Sequence, residues 1–384
     1  MKRQLLALAA LSALSALCSY APEANSLEVF NNDKTAFNFS GNLAVYYLRN
    51  DELDEVNDGF SRYIFDISHN MKDDWQAVAK LEWGVQISNT NNQIVVNNSG
   101  LTSTGPADDV IWLRQGFVGF EHQDYGRFTL GKQWGVSYDI GGVTDWFEIF
   151  GGGAQGTYNF GTDGGFSGTG RAEQALQYRI KHNNFSFAVQ YLASSEELNV
   201  HGENGTDFSA ILNFSDSYGM SVLYKAPLDI GLGIAYNKAK LSLGANGESS
   251  NKIDDELISA YITYRQYDNL GLHVALVYTD MTNHDINDVG KIMNKAKGLE
   301  LFSEYRFEND ISLILGYISL KDDSNTLLGS DGTYHKQYTI LSAKYHWDED
   351  FYLFIESKFD DSTLSNQSTD LAEDATGIGM MFTF

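Results

Sequence analysis

Residues Trp75 to Ser88 read WQAVAKLEWGVQIS. The odd positions Trp75, Ala77, Ala79, Leu81, Trp83, Val85 and Ile87 are apolar, and the even ones include Gln76, Lys80, Glu82, Gln86 and Ser88. A period of two places these sets on opposite faces of an extended strand. In the same way Tyr63, Phe65 and Ile67 oppose Arg62, Asp66 and Ser68, and Leu299, Leu301, Tyr305 and Phe307 oppose Glu300, Glu304 and Arg306. A soluble sandwich also alternates. Here, however, the polar face carries both signs of charge at mid-strand, which suits a wet lumen, and the apolar face is rich in Tyr, Phe and Trp, which suits the interface girdles of a membrane barrel.

Working outward from that stretch, the pattern recurs as about sixteen segments separated by Asp/Asn/Gly/Ser clusters. They are 36–49, 60–71, 74–88, 110–122, 126–133, 172–182, 184–194, 217–227, 228–243, 254–268, 269–281, 296–308, 309–322, 334–348, 349–361 and 374–384. Short links such as Lys72-Asp73 and Asn183-Asn184 alternate with long ones such as 50–59, 89–109, 195–216 and 361–373. That alternation fits an up-and-down barrel with short turns at one end and large outer loops at the other. Thr206–Phe214 is a further candidate strand, and admitting it breaks the even count unless another is lost. Pro22, Pro106 and Pro227 all fall outside strand interiors, so no ladder donor is missing. The fold class expected is all-β, a sixteen-stranded antiparallel transmembrane β-barrel. In lipid, closure is what pairs every backbone group.

The chain begins with a leader. Lys2 and Arg3 precede the apolar run Leu5–Leu17, which is too short to span a bilayer, and small residues follow at Ala24 and Ser26. Cleavage is expected after Ser26, with Ala21 and Ala24 as alternatives, giving a signal peptide at 1–26 and a barrel domain at 27–384. A lipid-attachment reading of Cys18 is disfavoured by the large Leu17 before it. The only cysteine therefore leaves with the leader, and no disulfide or thiol chemistry remains. The full chain has 26 basic and 51 acidic residues; losing Lys2, Arg3 and Glu23 leaves 24 and 50, a net charge of −26. Such acidity argues against a nucleic-acid partner. Aromatic residues at 13% and 36 glycines do not fit a solvated acidic tail. No later apolar stretch reaches eighteen residues, which excludes a helical membrane protein.

The longest link without alternation, Gln133–Gly170, is dense in glycine and contains Asp145 and Glu148. A wide barrel needs a charged constriction to select among solutes, and a loop folded into the lumen would provide one. Around this link the sequence resembles a family. Arg114-Gln-Gly-Phe-Val-Gly119, Asp124-Tyr-Gly-Arg-Phe-Thr-Leu-Gly131, Trp134-Gly-Val-Ser-Tyr-Asp139 and Thr144-Asp145 look like the general diffusion porins of Gram-negative bacteria. Glu28–Asp33, Gly170-Arg171, Tyr178-Arg179 and Phe185–Tyr191 extend the likeness, which is strongest from Arg62 to Tyr191. The terminal strand Gly377–Phe384, ending on an aromatic, resembles the outer-membrane assembly signal.

This resemblance implies an outer-membrane homotrimer with the third loop folded inward, passing small hydrophilic solutes and ions. It also implies a pore constriction made of wall arginines Arg62, Arg114 and Arg171, wall carboxylate Glu82, loop acids Asp145 and Glu148, and Tyr138 at the loop base. Parity independently puts Arg62, Glu82 and Arg171 on the lumen face. It decides less for Arg114, whose face is shared by Trp112 and Val118. Two positions depart from the family pattern. Asn42 stands where a basic residue is usual, and Glu148-Ile-Phe-Gly-Gly-Gly153 replaces a proline-containing motif with a second acid. Wall charge is thereby lowered, and the overall acidity favours cations. The acidic runs 51–58, 322–323 and 370–374 fall in expected loops, with no calcium-loop spacing; divalent ions there could bridge to lipopolysaccharide. No cofactor, resident metal or catalytic set is expected. A sugar-type porin would use Trp134, Tyr138, Trp146, Phe147 and Phe150 as a stacking surface. An outer-membrane barrel enzyme or adhesin is the rival from another class, but no histidine sits in a nucleophile or HExxH motif.

Overall fold

The computed structural model describes residues 26–51, 54–88, 92–97, 100–106, 110–193, 196–201, 209–245, 252–288, 290–324, 332–363 and 373–384. Apart from Ser26, the expected leader lies outside them. Alternating sequence becomes a closed antiparallel barrel of sixteen wall strands. They are Thr35–Arg49, Arg62–Asn70, Gln76–Val85, Ile111–His122, Gly126–Trp134, Arg171–His182, Phe185–Leu192, Ser209–Ala226, Ile230–Ala245, Lys252–Tyr264, Gly271–Thr282, Ala296–Arg306, Ile311–Asp322, His335–His346, Phe351–Asp360 and Ala375–Thr383. Each pairs with its chain neighbour, and Thr35–Arg49 closes the ring by pairing with both Arg62–Asn70 and Ala375–Thr383.

The closing seam has an unusual construction. Phe384 and Gly41 exchange both backbone hydrogen bonds, at 2.8 and 3.0 Å. Just beyond, on the same edge of Thr35–Arg49, Leu27 lies opposite Phe39 and Asn31 opposite Ala36. The short strand Leu27–Asn31 therefore continues the line of the last strand, so that one wall position is built from two segments far apart in the sequence.

Four regions read as loops contain further regular structure, three of them as paired strands. Asp54–Asp58, within the acidic run, is a strand against Val45–Arg49. Asn92–Asn97 and Gly100–Pro106 form a separate hairpin. Glu196–His201 pairs with Ser209–Phe214, which settles the ambiguity at 206–214. The described part of that segment is the outer half of Ser209–Ala226, a longer strand and not an additional wall strand. The third link itself has one helical turn, Tyr138–Gly141. Of the run 370–374, only 373–374 lie among the described residues.

Turns at the short-link end follow from local chemistry. Asp73 and Asp74 both have positive φ, as do Leu228 and Asp229. Two consecutive left-handed residues make the turn whose twist matches an antiparallel pair. Outward positions such as Leu313, Leu315, Val189 and Ile234 are exposed to the membrane side, as the apolar parity requires.

Candidate functional site

The link between Gly126–Trp134 and Arg171–His182 does not leave the barrel. It runs along the inner wall, and the wall side chains that hold it trace its route. Asp139 is gripped by Arg179 Nη1 at 2.8 Å to both carboxylate oxygens and by Ser221 Oγ at 2.6 Å. The backbone N–H groups of Glu148, Ile149 and Phe150 donate to the Glu356 carboxylate at 3.1, 2.9 and 2.9 Å. Those of Gly152 and Ala154 donate to Glu300 at 3.3 and 3.2 Å. Thr279 Oγ1 donates to Ala154 O, His284 Nε2 meets Gly156 O, and Gln190 Nε2 donates to Gly168 O. Loop backbone taken out of water must find partners, and buried carboxylates aimed at successive N–H groups supply strong ones.

Between these polar anchors the lumen face beneath the loop is apolar. Phe147 and Phe150 pack on a cluster containing Leu257, Met281, Ile318, Leu320 and Ile340. Ile140 and Val143 join Phe302, Ile314 and Val277. The loop is thus a second, inner layer packed on apolar wall clusters, and it narrows the channel.

Across the lumen stands the charged wall. Arg114 Nε donates to Glu82 Oε1 at 2.6 Å, Arg62 Nη1 lies 3.8 Å from the same oxygen, and Gln115 Nε2 donates to Glu82 Oε2. Arg62 Nε donates to Asn42 Oδ1 at 2.6 Å, so the position that departs from the family pattern accepts a hydrogen bond here. Why Arg114 resisted parity is now evident. A bulge opposite Glu82 and Trp83 makes Gln115 pair with Glu82 while Leu113 pairs with Trp83. Arg114 and Gln115 consequently both turn inward, and the inward parity switches from even to odd along one strand.

On the loop side, Asp145 Oδ2 accepts from Tyr138 OH at 2.9 Å and from Tyr158 OH at 3.3 Å. Burial, then the Asp145 carboxylate, pushes both phenol pKa values up, so they stay protonated donors. Arg62 and Arg114 act on these hydroxyls from the facing wall. Arg171 is paired with Asp163 at 3.3 Å, stacks on Trp134 at 5.2 Å from the ring centroid, and also reaches Tyr158 electrostatically.

Glu148 is placed apart from the arginine row. Its carboxylate takes Lys344 Nζ at 2.5 Å and Tyr352 OH at 3.0 and 3.1 Å, with Lys344 and Glu148 both buried. It therefore pins the loop to the wall. So Arg62, Glu82 and Arg114 come together opposite Tyr138 and Asp145, with Arg171 beside them and Glu148 removed. The sequence reading missed Tyr158, Gln115, Lys344, Tyr352 and Glu356, and it placed Glu300 on the lumen face without its contact to the loop.

The profile of the Gram-negative porin family matches residues 6–384. The chain belongs to that family. This porin is 25% identical over 398 residues to outer membrane porin N of Escherichia coli (strain K12), covering 95% of this chain and 96% of the relative. It is 24% identical over 416 residues to outer membrane protein S2 of Salmonella typhi, covering all of both. Among solved structures, Salmonella typhi OmpF in complex with daunomycin superposes with a TM-score of 0.69 at 18% identity, over 93% of this chain and all of that one. The DcaP channel of Acinetobacter baumannii gives 0.66 at 11% identity, over 93% of this chain and all of that one. The porin is a channel of the Gram-negative outer membrane and not an enzyme. It forms a water-filled path for small hydrophilic solutes.

Proposed function

We propose that this porin selects solutes at a constriction formed by Arg62, Arg114, Arg171 and Glu82 on the wall and by Tyr138 and Asp145 on the third loop, with Glu148 anchoring that loop. The observation that carries the reading is the position of the Arg62–Glu82–Arg114 set facing Asp145 and its two phenols. A dipolar solute aligns between the two sides, whereas an apolar one must displace ordered water. Glu82 offsets part of the arginine charge, Asn42 adds none, and the mature chain is strongly acidic, so the pore prefers cations. The aromatic faces speak for general diffusion over a sugar slide. Trp134 and Tyr138 stack on each other with centroids 3.7 Å apart, and Trp146 stacks on Tyr267 at 4.0 Å.

The working unit proposed is a homotrimer inserted after removal of residues 1–26, contacting lipopolysaccharide at its outer rim. Support for assembly comes from the outward cluster of Phe37, Phe39, Tyr63, Phe65, Trp83 and Phe384 on adjoining strands. The test is a planar-bilayer recording under a KCl gradient. Closure in three equal steps with a cation-side reversal potential is expected. An anion-side potential would overturn the preference, and single-step closure would overturn the trimer.

A further inference from the structure

We propose that Tyr158 is a positioning residue for ion selection, fixing Asp145 together with Tyr138 and keeping that carboxylate off the arginines of the facing wall. The inference rests on the constriction reading above. Opposite charges facing each other across a narrow lumen attract strongly, because low-dielectric walls screen them poorly. Left free, they would close to a contact ion pair, narrowing the aperture and cancelling the field a permeating ion meets. Among the described residues Asp145 makes no ion pair. Each side is instead satisfied within its own wall. Arg62 is taken by Asn42 at 2.6 Å and Glu82 at 3.8 Å, and Arg114 by Glu82 at 2.6 Å. Asp145 is taken by two phenols through one oxygen, at 2.9 and 3.3 Å.

Both phenols are themselves held. Tyr138 is stacked on Trp134 with an interplanar angle of 11°. Tyr158 sits between two buried anchored residues. On one side Thr157 Oγ1 donates to Gln155 Oε1 at 3.1 Å, and on the other Asn159 Nδ2 donates to His284 O at 3.1 Å. A tyrosine has only two side-chain torsions to restrain, so a donor on such a backbone is aimed at little entropic cost. Two such donors converging on one atom act as a clamp.

The experiment is the reversal potential under a KCl gradient for the parent porin and for Y158F, D145N and D145N/Y158F. Y158F keeps the ring and removes only the hydroxyl. It should lower the cation-over-anion permeability ratio by roughly twofold, the factor one modest hydrogen bond carries. In the D145N background the same change should add nothing, because its effect passes through Asp145. A merely structural Tyr158 would shift both backgrounds alike, and that result, or a Y158F ratio equal to the parent's, overturns the inference. Should Y158F fail to fold, Y138F reports on the same clamp from its other arm and should behave in the same way. A D145N ratio equal to the parent's would overturn the constriction itself, a distinct result.

Discussion

The ring of Phe147 lies where a side chain on Gly316 would begin. Gly316 faces the lumen from the strand Ile311–Asp322, and Phe147 belongs to the third loop. The wall has a slot there, and the loop fills it. Gly298 makes a second slot, where an added carbon would meet the Ala154 carbonyl.

Replacing Gly316 by valine should therefore expel Phe147 and loosen the loop while leaving the outer ladder paired. Overpacking a tight core costs about 1–3 kcal/mol. Denaturant unfolding in detergent micelles should show that loss, and single-channel traces should become noisier. A quiet channel of parental stability would mean that the loop does not depend on this contact.

Glu356 accepts three successive backbone N–H groups, from Glu148, Ile149 and Phe150. The E356Q variant keeps one acceptor oxygen and turns an amide donor toward N–H groups that cannot accept it. An orphaned buried donor costs about 1–3 kcal/mol. Hydrogen exchange should accelerate at residues 148–150 and remain slow in the wall strands. Uniform exchange across loop and wall would argue against a local anchor.

His284 links the loop to the outer rim through Asp255 Oδ1 at 2.6 Å and Gly156 O at 2.8 Å. Burial alone would lower its pKa, but the facing Asp255 carboxylate outweighs this and raises it to about 9. Only the imidazolium donates to both acceptors at once. Because the folded pKa lies above that of an exposed histidine, the stabilisation is complete below a pH of about 6.5. It is lost as pH rises through about 9. Unfolding midpoints should fall between pH 7 and pH 10 in the parent and change less in H284Q. Equal pH dependence in both proteins would remove His284 from this role.

Arg62 and Arg114 each contribute one positive charge, yet they differ in burial. Arg114 and Glu82 are both buried, whereas the Arg62 side chain is 30% exposed. R62Q and R114Q should both move the reversal potential further to the cation side. Only R114Q should be strongly destabilised, by about 3 kcal/mol, as expected when a buried ion pair loses one partner. Equal stability of the two variants would contradict the burial difference.

The barrel was legible because lipid and water impose opposite demands on alternate residues, and Trp75–Ser88 obeys both except at Val78. Arg62 and Glu82 could be placed by the same rule. Arg114 could not, since a bulge is one inserted residue with no mark in composition. Tyr158, Glu356 and the loop contact of Glu300 escaped for a different reason: they find their partners only after the loop has folded inward. One signal was nevertheless present. Phe302, Ile314, Ile318 and Ile340 are apolar at positions where the lumen parity asks for polar residues. Such violations mark the strip of wall that a second layer covers. Glu148 shows the complementary limit, for its charge was visible in the sequence but its partner Lys344 was not.

The seam at Phe384 and Gly41 bears on how the molecule can be made. Every other wall pairing joins neighbours along the chain and can form hairpin by hairpin. Until the ends meet, the growing wall is an open sheet with two unpaired borders, an arrangement that hydrocarbon does not tolerate and that invites pairing with foreign strands. Insertion into a membrane therefore demands a temporary neighbour to shield those borders, released only when Ala375–Thr383 arrives beside Thr35–Arg49.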